Sequence, residues 1–241
     1  CLRLFGKKPF LYLRSNGYDE YKIILGVFGK LIYHFMFSLI SKISFLISCR
    51  EHLLMGNSGK VLSPSQLDEA WHQNHKAPSL ENINLIYVGR IKKEKGIFSL
   101  LNLVKKQPKI NLTIVGARQE ETKTINQENV NIVNIVNDKK KLIDLYDENN
   151  IMILPSYTEG YPMVILESLS RFRPVIIFKE IEHIIEDRKG IFVSDRNFLS
   201  LLEKINYVID NYNSIQESMR NNILPNNENF IKGLKEILSK N

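Results

Sequence analysis

Two glutamates, Glu159 and Glu167, have the side chains and spacing in this sequence that are best suited to chemistry. They are separated by seven residues in the run Ser156-Tyr-Thr-Glu-Gly-Tyr-Pro-Met-Val-Ile-Leu-Glu167. The apolar run from Ile151 before them predicts a buried strand, and Pro162 suits the first position of a following helix. The pair therefore spans a strand-to-helix turn, with Glu167 roughly 7 to 8 Å beyond Pro162 along the helix.

This arrangement indicates a sugar-nucleotide site. A helix N-terminus offers free N–H groups and a partial positive charge to a phosphate, and carboxylates accept hydrogen bonds from sugar or ribose hydroxyls. The separation of the two carboxylates is comparable to a diphosphate with a sugar on either side. Two glutamates on a solvated face would also have this spacing by chance, so the interpretation depends on a second element.

The second element lies upstream, where the apolar strand beginning at Leu85 ends in a glycine turn at Gly89 that is rich in cations. Arg90 and Lys95 are candidates for binding a diphosphate. Arginine offers a planar fork to phosphate oxygens, and lysine offers a compact charge that can neutralise a leaving group. A basic surface loop is the alternative explanation for this element if it is taken alone.

In this order and at this distance, the two elements resemble the retaining GT-B glycosyltransferases of glycosyltransferase family 4, the group 1 transferases. The resemblance covers roughly Asn84 to Val193. The positions that match the family pattern are Gly89-Arg90, Lys95-Gly96, the strand Leu112 to Gly116, Pro155-Ser156, Glu159-Gly160-Tyr161-Pro162, Glu167 and Pro174-Val175.

The resemblance implies a role for each site residue. Arg90 and Lys95 would bind the donor diphosphate, Glu167 the ribose hydroxyls, and Glu159 the transferred sugar. The implied catalytic residues are Arg90, Lys95 and Glu159, and the implied donor-binding residues are Gly89, Arg90, Lys95, Gly116, Val136, Glu159, Gly160, Tyr161, Pro162 and Glu167. No metal and no cofactor are expected, because Arg90 and Lys95 would stabilise the charge that grows on the departing diphosphate.

The resemblance also implies the reaction and its partners. The enzyme would move a hexose-type unit from a nucleotide diphosphate sugar to an acceptor hydroxyl with retention of configuration. The expected acceptor is a lipid-linked compound or a glycan, in the synthesis of bacterial surface polysaccharide, lipopolysaccharide or glycolipid. A cytoplasmic enzyme at the inner face of the membrane is expected. Two alternatives stay open, a sugar-nucleotide epimerase on the same fold and a non-catalytic nucleotide-sugar-binding module.

Composition agrees with a folded enzyme. The 241 residues are 44% hydrophobic and 24% charged, enough for one full domain and part of another. Cys1 and Cys49 give no spacing for a disulfide framework, which fits a reducing cytosol. His72 and His75 lie in a polar stretch without further ligands and predict no metal site.

The net charge of +7 predicts an anionic partner. The sequence contains no zinc-finger spacing, no aromatic RNA-binding strand and no arginine-rich arm, so it does not predict nucleic-acid binding. Phosphate groups and an anionic lipid surface are the expected partners.

From Asn84 to Val193, short apolar strands alternate with helical stretches, which predicts a doubly wound parallel α/β sheet. The predicted strands are Asn84 to Val88, Asn111 to Val115, Asn131 to Val136, Ile151 to Leu154, Val175 to Phe178 and Ile191 to Val193. The predicted helices are Ile97 to Lys106, Lys140 to Asp147, Met163 to Ser170, Glu180 to Glu186, Phe198 to Asp210 and Asn229 to Leu238. Ligands of such sheets bind at the carboxyl ends of the strands, where Gly89, Gly116 and Glu159 fall.

The first part of the chain contains a long apolar stretch. We predict a buried helix from Tyr21 to Ile40 and a short buried strand from Ser44 to Ser48, with an interfacial helix and a membrane span as alternatives. Three polar side chains, Lys30, His34 and Lys42, weigh against a span. The cations of this region, including Lys7, Lys8, Arg14 and Lys22, suit an anionic membrane surface.

The predicted domains are a partial N-terminal, acceptor-side Rossmann-like domain with a hinge at residues 1–80, a nucleotide-sugar-binding domain at 81–225 and a C-terminal helix at 226–241. The polar stretch from Ser63 to Glu81 reads as the hinge. About eighty residues are too few for a complete N-terminal domain, so we expect a chain that is truncated at its N-terminus. Arg14 to Gly17 resemble a loop in the middle of the family's N-terminal domain, and Ser48 to Glu51 resemble one of its later strand ends.

Overall fold

The computed structural model of the chain describes residues 8–105, 107–118, 120–121 and 125–239; the predictions at Cys1, Lys7 and Lys106 lie outside them. The described chain forms two units. Unit 1 comprises residues 8–66, 158–161 and 225–239, and unit 2 comprises residues 67–157 and 162–224.

The elements are numbered in chain order. The strands are β1 (Phe10–Leu13), β2 (Phe45–Ser48), β3 (Gly59–Val61), β4 (Ile83–Val88), β5 (Ile110–Ala117), β6 (Val130–Asn134), β7 (Ile151–Leu154), β8 (Val175–Phe178) and β9 (Ile191–Ser194). The α-helices are α1 (Gly17–Leu25), α2 (Val27–Ile43), α3 (Ile97–Val104), α4 (Lys139–Glu148), α5 (Met163–Ser170), α6 (Phe198–Asp210), α7 (Tyr212–Met219) and α8 (Asn227–Ser239).

Unit 2 is built on a parallel sheet with the strand order β6-β5-β4-β7-β8-β9. All four residues of both β7 and β8 are buried, as expected for strands that are covered on both faces. The chain winds outward from β4 to β6 and then returns to the other side of β4 to form β7. The order of the strands therefore reverses between β4 and β7, which is where doubly wound sheets bind their ligands.

The predicted parallel α/β fold is confirmed in unit 2. β7, β8, α5 and α6 have the predicted bounds, and most of the other elements differ at their ends by one to three residues. Two predictions are wrong. The strand predicted to reach Val136 ends at Asn134, and the helix predicted from Glu180 to Glu186 is a 3₁₀ segment, Lys179–Ile184, interrupted by non-helical backbone at Ile181.

Unit 1 contains a second parallel sheet, in the order β1-β2-β3, and the helical hairpin α1–α2. The prediction of a single helix from Tyr21 to Ile40 is wrong. Gly26, with a φ of 67° and a ψ of −149°, interrupts the helix and separates α1 from α2. Such a backbone conformation is accessible to glycine and strained for other residues. The predicted strand at Ser44 to Ser48 is β2.

The prediction of a buried helix is also wrong. Of the described residues of α2, only Gly29 and Phe37 are buried, while Val27 is 79% exposed, Phe28 74% and Phe35 68%. Most positions around α2 are apolar, but only one side of the helix packs on the rest of unit 1. Across the part of the chain that the structure describes, none of the helices has the length and hydropathy that a membrane span needs.

The polar stretch predicted as a hinge is anchored to unit 2 from residue 67 onward. The fully buried guanidinium of Arg171 donates to the carbonyls of Trp71, Gln73 and Asn74, and it forms a two-point ion pair with Asp147 at 3.0 and 2.6 Å. The groups that Arg171 binds in this stretch are backbone carbonyls, which every residue carries. The side chains of the polar stretch therefore gave no sign of the anchoring.

Candidate active site

The carboxyl ends of β4 and β5 approach each other through two glycines. The amide of Gly89 donates to the Val115 carbonyl at 2.9 Å, and Gly116 has a φ of 106°. A Cβ atom on Gly116 would lie 2.8 Å from the Gly89 carbonyl oxygen, closer than side chains normally come. The two predicted positions therefore lie side by side at one edge of the sheet and leave it free of side chains, so a ligand can approach the backbone.

The loop after β4 carries the predicted cations and is held by a buried tyrosine of that strand. The hydroxyl of Tyr87 donates to the Arg90 carbonyl at 2.8 Å, and the Arg90 side chain is exposed to solvent. Lys95 ends a 3₁₀ turn, Lys93–Lys95, and is half-buried. The loop thus presents a cluster of positive charge at the end of β4, which is suited to phosphate oxygens.

The loops after β4 and β7 are joined directly. The amide of Tyr157 donates to the Glu94 carbonyl at 3.0 Å. Gly96, with a φ of 68°, packs against the carbonyl of Pro155 so closely that a Cβ atom would collide with it. The cationic turn is therefore fixed to the strand end that leads into Glu159, on the two strands that flank the reversal of strand order.

A third cation, which sequence reasoning missed, holds the loop after β7. Arg196 donates to the carbonyls of Pro155 at 2.8 Å and Ser156 at 3.2 Å, and its guanidinium lies 4.0 Å from the centre of the Tyr157 ring. Glu180 fixes the other side of the guanidinium at 2.7 Å. Arg196 follows β9, two strands away from β7 in the sheet, so its role became visible only after folding.

Glu167 lies on α5, the helix that follows this loop. Pro162, predicted at the first helical position, is the N-cap of α5, which begins one residue later at Met163, and the Glu167 side chain is buried. The hydroxyl of Tyr146 donates to Glu167 Oε2 at 2.9 Å and lies 3.3 Å from the Val164 carbonyl. Burial and the neighbouring Glu167 carboxylate raise the pKa of Tyr146 well above its usual value, so the phenol stays protonated as a donor.

Glu159, Gly160 and Tyr161 belong to unit 1. Glu159 is half-buried, and Gly160 packs so closely on the backbone of Arg14 and Ser15 that a side chain at this position would collide with both. The Tyr161 ring lies 5.5 Å from the guanidinium of Arg50. These three residues therefore pack on the segments that follow β1 and β2 and are fixed by unit 1.

The predicted site residues thus divide between the units. Unit 2 places Gly89 and Gly116 together, brings the loop with Arg90 and Lys95 onto the loop after β7, and sets Pro162 and Glu167 on α5. Val136 lies two residues beyond β6 and is half-buried. In the described ranges, no group of three or more His, Cys, Asp or Glu side chains is placed to hold a metal ion, and the prediction that no metal is needed stays a prediction.

Comparison with known proteins identifies the family. The family model for group 1 glycosyl transferases matches residues 68–229, which is more than half of the chain. The chain belongs to the group 1 glycosyl transferases. The matched range contains every predicted site residue.

Relatives of this group 1 transferase occur among bacterial proteins. An uncharacterized glycosyltransferase of Haemophilus influenzae is 30% identical over 144 residues, covering 54% of this chain and 40% of that protein. The capsular polysaccharide biosynthesis glycosyltransferase CapM of Staphylococcus aureus is 28% identical over 176 residues, covering 67% of this chain and 44% of CapM. The matches therefore span less than half the length of these relatives.

Solved structures confirm the predicted GT-B fold. The Anabaena HepE structure in complex with UDP and glucose superposes with a TM-score of 0.74 at 14% identity, over 98% of this chain and 73% of HepE. At this identity the likeness concerns the fold alone.

Two contacts of the site had no signal in the sequence motifs. Tyr146 lies in the last turns of α4 and Arg196 just after β9, so both are distant in sequence from the residues that they contact. A buried tyrosine at the end of an amphipathic helix and an arginine after a strand are common features, and neither suggests a partner without the folded sheet.

Proposed function

We propose that the complete protein is a glycosyltransferase of family 4 that transfers a hexose-type sugar from a nucleotide diphosphate sugar to an acceptor hydroxyl with retention of configuration. One observation carries the proposal. At the point where the strand order of unit 2 reverses, the cationic turn after β4 is hydrogen-bonded to the loop that leads to Glu159 and α5, through the Tyr157 amide and the Glu94 carbonyl.

The donor contacts follow from the chemistry of each side chain. Arg90 and Lys95 bind the diphosphate and stabilise its negative charge as it departs, so no metal is required. Glu167 accepts hydrogen bonds from the ribose hydroxyls, and Tyr146 holds one of its carboxylate oxygens in place. Gly89 and Gly116 have no side chains to obstruct the nucleotide, and the backbone near Val136 contacts the base.

The transferred sugar is held by Glu159 and by the backbone from Gly160 to Pro162, next to the N-terminus of α5. The bond between the anomeric carbon and the diphosphate oxygen breaks, and the acceptor oxygen bonds to the same carbon on the same face. The acceptor proton passes to the departing diphosphate oxygen. Glu159 positions the sugar and stabilises its developing positive charge, and it forms no covalent bond.

The proposed pathway is bacterial surface polysaccharide, lipopolysaccharide or glycolipid synthesis. The name of the relative CapM, which refers to capsular polysaccharide biosynthesis, supports it. The proposed acceptor is a lipid-linked compound or a glycan, and the proposed location is the cytoplasm, with peripheral contact at the inner face of an anionic membrane. The excess of cations, +7 overall, supports this contact.

One observation favours a second candidate, a nucleotide-sugar-binding module that docks on a partner. Residues 24–39 expose a large apolar surface at the end of α1 and on α2, as a docking module would. Turnover separates the two candidates, because a binding module holds the nucleotide sugar without consuming it. An epimerase would consume the nucleotide sugar with no acceptor present.

A thermal-shift titration with UDP, GDP and ADP sugars, without metal, tests the donor site. We expect one nucleotide series to raise the Tm of the parent and of Lys109→Ala, whose exposed side chain lies at the amino end of β5. The same series should leave the Tm of Arg90→Ala and Glu167→Ala unchanged. A shift that persists in both variants would contradict the assigned donor contacts.

A further inference from the structure

We propose that the α1–α2 hairpin lies flat on an anionic lipid bilayer, with one side of α2 inserted at the interface. This inference rests on the proposed function, because it identifies the surface that makes the proposed membrane contact. It is independent of the donor site. Its basis is the exposed apolar side of α2 together with the charges around it.

The apolar side of α2 is continuous. Its exposed residues recur at spacings of one, three and four, so they lie along one side of the helix. They are Val27, Phe28, Leu31, Ile32, Phe35, Met36 and Leu39. Ile24 and Leu25, in the last turn of α1, are also exposed and extend this side beyond Gly26. An exposed apolar surface of this extent marks a site of contact with a membrane or another protein.

In the described part of unit 1, α2 packs through its opposite side. That side contacts α1, with Gly29 against the Tyr21 carbonyl and the Tyr33 ring 4.8 Å from the Tyr18 ring. Tyr33 also stacks on Phe37 at 5.8 Å. The hairpin is therefore fixed through one side of α2, and the apolar residues of the other side are left for a partner.

The charges identify the partner as anionic. From Tyr21 to Arg50 the sequence contains no aspartate or glutamate, while Lys22, Lys30 and Lys42 are exposed. Two exposed carboxylates, Asp19 and Glu20, lie in the first turn of α1, and Glu20 lines the same depression as Met36 at one margin of the apolar side. A predominantly cationic border around apolar side chains matches the headgroup and acyl layers of an anionic membrane.

The length of α2 fits a helix that lies in the interface. Its 17 residues extend about 25 Å, short of the roughly 20 apolar residues that a span requires. Two of its exposed residues are phenylalanines, which are typical of the apolar face of interfacial helices. The lysines can extend to the phosphate layer while their alkyl stems stay among the apolar side chains.

Sedimentation of the full chain with vesicles tests the proposal. We expect binding to phosphatidylcholine vesicles that contain phosphatidylglycerol, weaker binding to pure phosphatidylcholine, and a loss of binding as salt is raised. The double variant Phe28→Ser/Phe35→Ser should lower the partition coefficient about tenfold or more for each phenylalanine removed. Lys30→Gln/Lys42→Gln should lower it about fivefold for each lysine.

The matched control is Leu199→Ser, which removes an apolar side chain of 76% exposure from α6 and should leave vesicle binding unchanged. The substituted side chains are exposed, so an unchanged Tm shows that each variant is folded. Parental binding by the phenylalanine variant, or no preference of the parent for anionic vesicles, would overturn the proposal. So would a parent dimer that this variant converts to a monomer, because a second copy would then cover α2.

The same samples separate this proposal from the donor site. A phenylalanine variant that loses vesicle binding and keeps its nucleotide-induced Tm shift supports the membrane surface by itself. A parent that binds anionic vesicles and shows no shift with any nucleotide supports the membrane surface while contradicting the proposed donor contacts.

Discussion

In unit 2, the apolar runs of β7 and β8 are buried completely, and the buried guanidinium groups of Arg171 and Arg173 are hydrogen-bonded. In unit 1, the equally apolar helix α2 buries Gly29 and Phe37 and exposes most of its remaining described apolar side chains. Apolar side chains therefore have two roles in this chain. In unit 2 they form a closed core, and in unit 1 those of the helical hairpin form an exposed surface.

The polar groups show the same contrast. Unit 2 buries Arg171, Asp147 and Arg173 together, and their hydrogen bonds run within that unit. On the helical hairpin, by contrast, the charged side chains of Asp19, Glu20, Lys22, Lys30 and Lys42 are all exposed to solvent. A unit with a closed core should be sensitive to single substitutions inside it, whereas exposed positions on the hairpin should tolerate them. The predictions below test this difference.

The largest effect is expected from breaking the buried ion pair of unit 2. Arg171→Ala would leave Asp147 buried without its two-point partner and three backbone carbonyls without a donor, and should lower the free energy of unfolding by about 3–5 kcal/mol. Urea denaturation measures it. The control is Arg220→Ala, which removes an exposed pair with Glu217 and should change stability by about 0–1 kcal/mol. Equal losses in the two variants would contradict a closed core in unit 2.

The next effect compares two glycines with nearly the same φ. Gly96→Ala in unit 2 adds a collision with the Pro155 carbonyl to the strain of a φ of 68°, and should cost about 2–5 kcal/mol of stability. Gly26→Ala in the hairpin meets no atom within 4 Å, but the φ of 67° and ψ of −149° lie in a region that is essentially confined to glycine, so it should cost about 1–3 kcal/mol. Chemical denaturation of both variants gives the difference. A cost at Gly96 of only about 1–2 kcal/mol, which its left-handed backbone explains by itself, would show that the Pro155 carbonyl adds nothing.

A smaller effect distinguishes stability from ligand binding within unit 2. Tyr146→Phe removes the hydrogen bond to Glu167, and Tyr212→Phe removes a buried bond to the Asn150 carbonyl at 2.6 Å. Each should lower the free energy of unfolding by about 1–3 kcal/mol. Only Tyr146→Phe should also reduce the nucleotide-induced Tm shift, because Tyr146 positions the Glu167 carboxylate. An equal reduction in Tyr212→Phe would assign the effect to general destabilisation.

The smallest effect is a pH dependence near the anchored stretch of unit 2. Partial desolvation lowers the pKa of His75 below its usual value, opposed by its hydrogen bond with the Ser170 carbonyl and assisted by Arg171. The unfolded chain therefore binds more protons than the folded chain below about pH 6.5, so stability should fall as the pH is lowered through this range. Denaturation midpoints between pH 7.5 and 5.5 should fall less in His75→Gln than in the parent. The opposite slope would contradict the lowered pKa.

Much of unit 2 could be predicted from the sequence because its signals are local. Strands such as Ile151–Leu154 are short apolar runs between polar turns, and glycines such as Gly89 and Gly116 mark the points where strands end. The candidate site residues were found for the same reason, since each lies at the end of a strand or within the helix that follows. Tyr146 and Arg196 escaped because each contacts residues that are distant in sequence.

Unit 1 was harder to predict. The main error concerns the exposure of α2 and not the formation of a helix. The apolar run after Tyr21 correctly indicated helix, but an apolar residue carries no information on whether another element covers it. The break at Gly26 had only a glycine as its signal, and glycines also occur inside continuous helices. The burial of α2 depended on what the rest of unit 1 could cover.

The sequence by itself determined the parallel α/β order of unit 2, the positions of the strand ends and the residue types that follow them, because hydrophobic periodicity and glycine act over a few residues. Only the tertiary structure decided that β4 and β7 are neighbours, that Tyr157 bonds to Glu94 between their loops, and that one side of α2 stays exposed. These features depend on which surfaces meet after folding, and contacts between distant residues are set by the packing of the whole unit.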